Sequence, residues 1–131
     1  MPIDYEIIED KKLVLVKGTG TISGNDVIRH LEKLSKDEKY IAPMKKLIDY
    51  RLVDKLAIIY GQAMKIAQLK RKLSSVFKGE KCAFISPGDL TYHTSRVHQS
   101  LIDDCPDLST RVFRSVEDAV GWLEVKLDYE I

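Results

Sequence analysis

The sequence predicts an α/β fold, a mixed but largely parallel five-stranded sheet with four helices. Two observations lead to this prediction. Short apolar runs of strand length alternate with segments in which apolar residues recur at the helical spacing. The chain has 131 residues, of which 44% are hydrophobic, and no linker or low-complexity segment divides it. We therefore treat residues 1–131 as a single domain.

The first third of the chain predicts a hairpin and a helix. Residues 3–7 alternate between apolar and acidic side chains, which is the pattern of a strand with one wet face. A turn at residues 10–11 leads to the apolar run 13–16, typical of a strand buried on both faces. Glycines at positions 18, 20 and 24 are expected to end that strand, and apolar residues from 27 to 34 then form one helix face.

The middle of the chain predicts two strands joined by the longest helix. Residues 46–50 form the third strand, after a polar connection that ends at Pro43. Apolar residues keep a helical period from about Asp54 to Phe77, which predicts one long second helix. Residues 81–86 form the fourth strand.

The last third predicts a helix, a strand and a closing helix. Asp89 is the expected cap of the third helix, whose inner face would carry residues 90, 94, 97 and 101. Residues 109–114 form the fifth strand. Ser115, with Asp118 three residues later, is a capping-box pattern that starts a helix with an apolar face running to Leu127. The order is ββαβαβαβα, so crossover helices predict a parallel sheet and the first hairpin an antiparallel edge.

Two short signatures accompany this element order. They are the strand end Leu47-Ile48-Asp49-Tyr50-Arg51 and the closing stretch from Val112 to Leu123. Together with the order, they resemble the SpoIIAA-like family, which is related to the STAS domains of anti-sigma-factor antagonists and sulphate transporters. That family is linked more loosely to Sec14-type lipid-binding domains. The resemblance covers nearly the whole chain and implies helices packed on a mixed sheet, no cofactor, and binding rather than chemistry.

The resemblance also raises the question of a phosphorylation switch. STAS antagonists are phosphorylated on a serine or threonine just after the third strand, where a phosphate adds about −1.5 to −2 charges. The matching stretch here, residues 49–56, contains no serine or threonine, and Tyr50 carries its only hydroxyl group. We therefore expect a binding module that lacks this switch.

One candidate ligand surface lies at the carboxyl end of the third strand. Ligands of open α/β sheets collect outside the carboxyl ends of the strands. Asp49, Tyr50 and Arg51 occupy that place and could grip a polar ligand, although a local ion pair explains the same residues. The turn at 86–89 follows the next strand, where free helix amides could bind an anion, but the Asp89 carboxylate would oppose it.

The third helix carries two histidines, His93 and His98. They are five residues apart, about 140° around a helix, so a shared metal ion is not expected. We expect His93 to be solvated and His98 to be half-buried, with a place in a ligand pocket as the alternative. Cys82 is expected to be buried and inert in its strand, and Cys105 has no recognisable base. No nucleophile elbow, phosphate loop or dinucleotide fingerprint is present.

Charge is distributed unevenly along the chain. Residues 65–81 contain six basic residues and one acidic residue, whereas residues 101–131 contain eight acidic and three basic residues. Lys70, Arg71 and Lys72 could form a basic strip that meets an acidic partner, a lipid head group or another copy of the chain. Simple solvation of these faces is the alternative. Aromatic residues for base stacking are missing, so nucleic acid is not expected as a partner.

The second helix has more apolar residues than one face requires. Ile58, Met64 and Leu69 lie off the main stripe, which is typical of a deeply buried helix or of one that contacts a partner. A homodimer seam or a lipid groove would use them.

These observations favour a non-enzymatic binding or regulatory module with an unidentified protein partner and no cofactor or metal. The first alternative is a Sec14-like carrier of a small apolar or lipid ligand, with a pocket lined by residues 59, 63, 64, 94 and 97. The second is an enzyme that uses Asp49, Arg51, His93 or His98. No apolar run reaches the ~18 residues of a membrane span, and the start of the chain has no signal-peptide pattern. We expect a cytoplasmic protein.

Overall fold

A computed structural model describes residues 2–103, 105 and 108–127, and it confirms the α/β fold. Within these residues, five strands form one sheet in the order of the chain. The strands are β1 (Ile3–Ile8), β2 (Leu13–Ser23), β3 (Lys45–Ala57), β4 (Glu80–Ile85) and β5 (Leu108–Phe113). The helices are α1 (Gly24–Ser35), α2 (Tyr60–Lys72), α3 (Asp89–Ile102) and α4 (Val116–Leu123).

The sheet has the predicted mixture of strand directions. β1 and β2 pair as an antiparallel hairpin around a short 3-10 turn at Glu9–Lys11, and Lys12 closes this turn with a φ of 49°. The remaining neighbours, β2–β3, β3–β4 and β4–β5, pair in parallel through helical crossovers. The hairpin therefore supplies the antiparallel edge that the sequence predicts.

Helices cover both faces of the central strands. Successive residues of a strand point to opposite faces, so each central strand contributes to two cores. Val14, Ile48 and Phe84 belong to the larger core, beneath α1, α2 and α3. Their sequence neighbours Leu13, Leu47 and Ala83 belong to the smaller core, beneath α4. This arrangement decides which side chains can share a site.

The second and third strands are longer than predicted. β2 does not end at its glycines: a Cβ at Gly18 would lie 2.7 Å from atoms of Ile22 and Tyr50, so glycine permits close packing there. Gly20, with a φ of 67°, lies at a register shift. Beyond the pairing of β2 with β1 and of β3 with β4, residues 19–23 and 52–57 continue as a two-stranded parallel ribbon. We call this extension the ribbon.

The predicted helix over residues 54–77 is therefore wrong at both ends. Residues 54–57 belong to β3, where Leu56 pairs with Ile22, and α2 spans only Tyr60–Lys72. The helical spacing of apolar residues arises there by coincidence, because the partner strand of residues 52–57 lies some thirty residues earlier in the chain. The spacing of apolar residues within one segment gives no information about pairing with a strand so far away in the sequence.

Serine side chains cap the first turns of two of the four described helices, α1 and α4. Ser115 Oγ accepts a hydrogen bond from the Asp118 amide, as predicted, and α4 then ends at Leu123, short of Leu127. A full capping box, Ser23 with Asp26, starts α1. Within the described residues, α2 and α3 have no side-chain cap: Ile59 precedes α2, and Gly88, rather than the predicted Asp89, holds the N-cap position of α3. Its buried face also differs from the prediction and consists of residues 91, 95 and 102.

Candidate functional site

An internal cavity of about 60 Å³ lies between the sheet and the three helices α1, α2 and α3. Val16, Ile48 and Phe84 line it from the sheet. Ala63 of α2 and Thr94 of α3 line it from the helices, as the carrier hypothesis predicts. Ile59, Met64 and Val97, the other residues of that predicted pocket, are not among its lining residues.

The ribbon forms part of the cavity wall. Leu56, at the end of the ribbon, and Ile58, just after it, line the cavity and are only half-buried. Val27 of α1 is half-buried beside the same space. The cavity therefore approaches the surface where β3 leads into α2, a place that sequence analysis assigned to a helix.

Several polar side chains line this otherwise apolar space. Lys46 is 1% exposed, and within the described residues its ammonium group has no hydrogen bond or salt bridge. His30 is 8% exposed, and its Nε2 atom also lacks a hydrogen-bond partner there. Sequence analysis missed both residues. The only feature of the sequence that could have indicated them is a polar residue among apolar neighbours. Lys46, for example, directly precedes the apolar residues of a strand that is buried on both faces.

Burial and charge act together on Lys46 and its neighbour Lys70. Burial, reinforced by the nearby Lys70 charge, lowers the pKa of Lys46 to about 8. Burial alone would lower the pKa of Lys70 as well, but the Glu80 carboxylate overrides it and raises that pKa above its ordinary value. Glu80 Oε1 lies 2.5 Å from Lys70 Nζ, so the carboxylate pairs directly with Lys70 and not with Lys46.

The two histidines of the cavity are held neutral. Burial, followed by the charges of Lys46 and Lys70, lowers the pKa of His30 far below its ordinary value. The same two causes lower the pKa of His98 to about 3. The His98 ring packs edge-on against Phe84 at a centroid distance of 6.0 Å. His98 is half-buried, as expected, and its side chain lines the cavity.

The structure separates the predicted Asp49–Tyr50–Arg51 surface. Tyr50 is 5% exposed and lines the cavity, so it is not part of a surface. Asp49 and Arg51 point to the other face and form the alternative local ion pair. Arg51 Nε and Nη2 each donate to Asp49 at 2.9 Å, and the Arg51 amide donates at 3.0 Å. These bonds outweigh burial and lower the pKa of Asp49.

The predicted basic strip is also interrupted. Lys70 is 2% exposed and paired with Glu80, so its charge is not at the surface. Arg71 donates a hydrogen bond to the Leu101 carbonyl, which leaves Lys72 as an exposed lysine at the end of α2. Three consecutive basic residues predicted a charged surface strip, but the side chain of the first of them, Lys70, points into the protein.

The remaining candidate residues lie away from the cavity. His93 is exposed, as predicted, beside Tyr92 and Arg96 in a shallow depression of α3. Met64 is half-buried on α2. The enzyme hypothesis needed Asp49, Arg51, His93 or His98, and these residues occupy three separate places.

One end of the sheet exposes apolar side chains. Among the described residues, five large hydrophobic side chains stand out as exposed, and four of them lie after the point at which β3 stops pairing with β4 or after the end of β4. We call these four the apolar rim: Leu52 (59% exposed), Ile59 (71%), Tyr60 (66%) and Leu90 (85%). The fifth, Ile41 at 72%, lies at the opposite end, before β3.

Metal-ligating side chains are dispersed in the described part of the chain. No three His, Cys, Asp or Glu side chains there come together as metal ligands. Both cysteines are free, and burial raises the pKa of the Cys82 thiol to about 11, in agreement with its predicted inert role. None of the helices in these ranges is both long and apolar enough to cross a membrane.

Comparison with known proteins supports the fold. No protein-family model matches the sequence, and no curated protein matches it. Among solved structures, an uncharacterized DUF3478-family protein with a SpoIIAA-like fold from Shewanella loihica is 24% identical, with a TM-score of 0.57. The match covers 92% of this chain and 91% of that one. The anti-sigma factor antagonist SpoIIAA in its unphosphorylated form is 10% identical, with a TM-score of 0.55, over 93% and 97% of the two chains. The fold is SpoIIAA-like, as the sequence predicts.

Proposed function

We propose that this chain is a non-enzymatic binding module that holds a protein partner against the apolar rim. The observation that carries the proposal is the concentration of exposed hydrophobic side chains at one end of the sheet. Single exposed hydrophobic residues are normal on a protein surface, whereas a group of them marks an interaction site. The carboxyl ends of the strands are also where open α/β sheets bind their ligands.

The fold comparison is consistent with this role. One of the two similar structures is named as an antagonist of an anti-sigma factor, a protein that acts on another protein. The proposed module works without a serine or threonine switch at the start of α2. From Asp49 to the end of α2 at Lys72 the sequence contains neither residue, so the lengthened β3 does not bring one into that position.

The test compares two variants in which exposed hydrophobic residues are replaced at opposite ends of the sheet. Leu52→Ser/Leu90→Ser removes half of the rim, and Ile41→Ser is the matched control. Each form carries the same affinity tag and is crosslinked in its native cells, and captured proteins are quantified by mass spectrometry. We expect a set of partners to be lost from the rim variant and retained by Ile41→Ser.

The result also identifies the kind of partner. If the rim variant keeps every partner of the wild type, the rim is not the binding surface and the proposal is wrong. Light scattering of the purified proteins examines the homodimer hypothesis separately. A wild-type dimer that becomes a monomer only in the rim variant would make a second copy of the chain the partner.

The cavity favours a second candidate function, that of a carrier for a small apolar ligand. Ligand pockets are mostly apolar with a few placed polar groups, which describes this space. Native mass spectrometry of the gently purified protein tests this function. A retained mass above that of the bare chain would support it, and a bare chain would oppose it.

A further inference from the structure

The buried charges around the cavity do not balance. Lys46 and Lys70 are both at most 2% exposed, and Glu80 is the carboxylate that faces them. Glu80 pairs with Lys70 at 2.5 Å and reaches Lys46 only through its longer-range field. The Cys82 thiol is held protonated, and so is the Tyr50 hydroxyl. The described residues around Lys46 therefore contain one positive charge more than they contain negative charges.

An unpaired buried ammonium group is costly, because it loses its hydration without gaining a partner in exchange. Proteins meet this cost by neutralising the group or by giving it an anion. Lys46 lines a cavity rather than a packed core, so an anion has room to reach it. The unpartnered Nε2 atom of His30 lines the same cavity and can donate to a second oxygen of that anion when its proton resides on Nε2.

We propose that the cavity binds a small apolar carboxylic acid whose carboxylate pairs with Lys46. This inference rests on the second candidate function, and it assigns the chemical class of the ligand. Most of the remaining lining residues, among them Ile48, Ile66 and Phe84, are apolar and suit a hydrocarbon tail rather than a sugar or a nucleotide. A cavity of about 60 Å³ has room for roughly four to six water-sized groups, since one water needs ~10–15 Å³. An acid of six carbons has eight non-hydrogen atoms, so its carboxylate and first carbons occupy the cavity and the end of its tail extends past Leu56 and Ile58.

The test is a calorimetric titration with hexanoate and with hexanamide, which has the same length and no charge. At pH 7 we expect hexanoate to bind the wild type and hexanamide to bind at least tenfold more weakly. The Lys46→Met variant should bind hexanoate ~10- to ~100-fold more weakly, the equivalent of one hydrogen bond to a charged group. Lys55→Met, at an exposed lysine of the same strand, is the matched control and should bind as the wild type does.

A further variant shows where the acid binds. Ala63 is 6% exposed and lines the cavity, so Ala63→Leu fills the space without altering a charge. We expect it to abolish hexanoate binding. If Lys46→Met fails to fold, the comparison of acid with amide in the wild type and the Ala63→Leu variant still decide the question.

The outcomes separate this inference from the function on which it rests. Equal binding of hexanoate and hexanamide, both blocked by Ala63→Leu, would overturn the Lys46 anchor and leave the cavity as an apolar ligand site. Binding of hexanoate that survives in Ala63→Leu would place it elsewhere and overturn the inference. The absence of binding by either compound would also overturn it, while native mass spectrometry would still test the carrier function by itself.

Discussion

Lys70 Nζ lies 2.5 Å from Glu80 Oε1, with the two side chains 2% and 0% exposed. The lysine stands near the end of α2 and the glutamate begins β4, so their ion pair joins the two ends of the connection between these elements. Neither charge has access to water. The pair therefore acts as a structural unit that is tolerated only while both members are present.

Removal of one member should destabilise the protein strongly. Lys70→Met removes the direct partner of the buried Glu80 carboxylate and leaves it only the longer-range field of Lys46, and we expect a loss of about 3–5 kcal/mol in the free energy of unfolding. Urea denaturation at pH 7 measures the change. Lys72→Met, on an exposed lysine two residues later, is the control and should change this free energy by less than about 0.5 kcal/mol. The double variant Lys70→Met/Glu80→Leu should recover much of the loss, and a strictly additive result would contradict the pairing.

The ion pair between Asp49 and Arg51 should give a stability that depends on acid pH. Asp49→Asn removes the charge that accepts three hydrogen bonds from Arg51, and we expect a loss of about 1–2 kcal/mol at pH 7, since Arg51 is partly solvated. The folded-state pKa of Asp49 is lowered, so its contribution is complete above the ordinary aspartate pKa of about 3.9. It disappears as the pH falls through the folded-state value.

Urea denaturation of both proteins at pH 7, 4 and 2.5 tests this dependence. The difference in unfolding free energy between the wild type and Asp49→Asn should shrink from pH 4 to pH 2.5. A difference that stays constant over this range would show that the carboxylate charge does not contribute, and that the amide side chain of the variant is unfavourable for another reason.

His98 should make the protein less stable in mild acid. Its folded-state pKa is about 3, whereas an unfolded histidine has a pKa of about 6.5. Between these values the unfolded chain binds a proton that the folded protein excludes, so stability falls as the pH decreases, by up to ~1.4 kcal/mol per pH unit. His98→Leu removes the contribution of this histidine to the pH dependence of the unfolding free energy. We expect unfolding free energies from pH 6.5 to pH 4 to fall less steeply for the variant, and parallel curves would contradict the burial of a neutral imidazole.

The fold was predictable because most of its elements are locally encoded. The fourth and fifth strands are short apolar runs, and Ser115 with Asp118 marks the start of α4 through neighbours in the sequence. The ribbon was not predictable, because residues 52–57 become a strand only through pairing with residues 19–23. The resemblance to the SpoIIAA-like family predicted the architecture but not this extension.

The candidate site was predicted only in part, for a related reason. A sequence does not show which way a charged side chain points. Lys70 was assigned to a surface strip, yet the fold supplies Glu80 from the next strand and allows the lysine to be buried. Tyr50 was grouped with Asp49 and Arg51, although the alternation of β3 sends it to the opposite face. Ala63 and Thr94 lie on facing helices and line the cavity as expected, whereas Ile59, Met64 and Val97 of the same predicted pocket do not.

The ribbon and the segment that follows it have a double role. Leu52, Ile59 and Tyr60 belong to the apolar rim, while Leu56 and Ile58 line the cavity. Residues 52–60 therefore contribute both to the cavity and to the apolar rim. Thermodynamic linkage is reciprocal: if an occupant of the cavity shifts this segment and changes the affinity for a partner by some factor, the partner changes the affinity for that occupant by the same factor. If the rim binds a protein and the cavity binds a small acid, as proposed, a ligand in the cavity would change how strongly that protein binds, and the chain would act as a sensor.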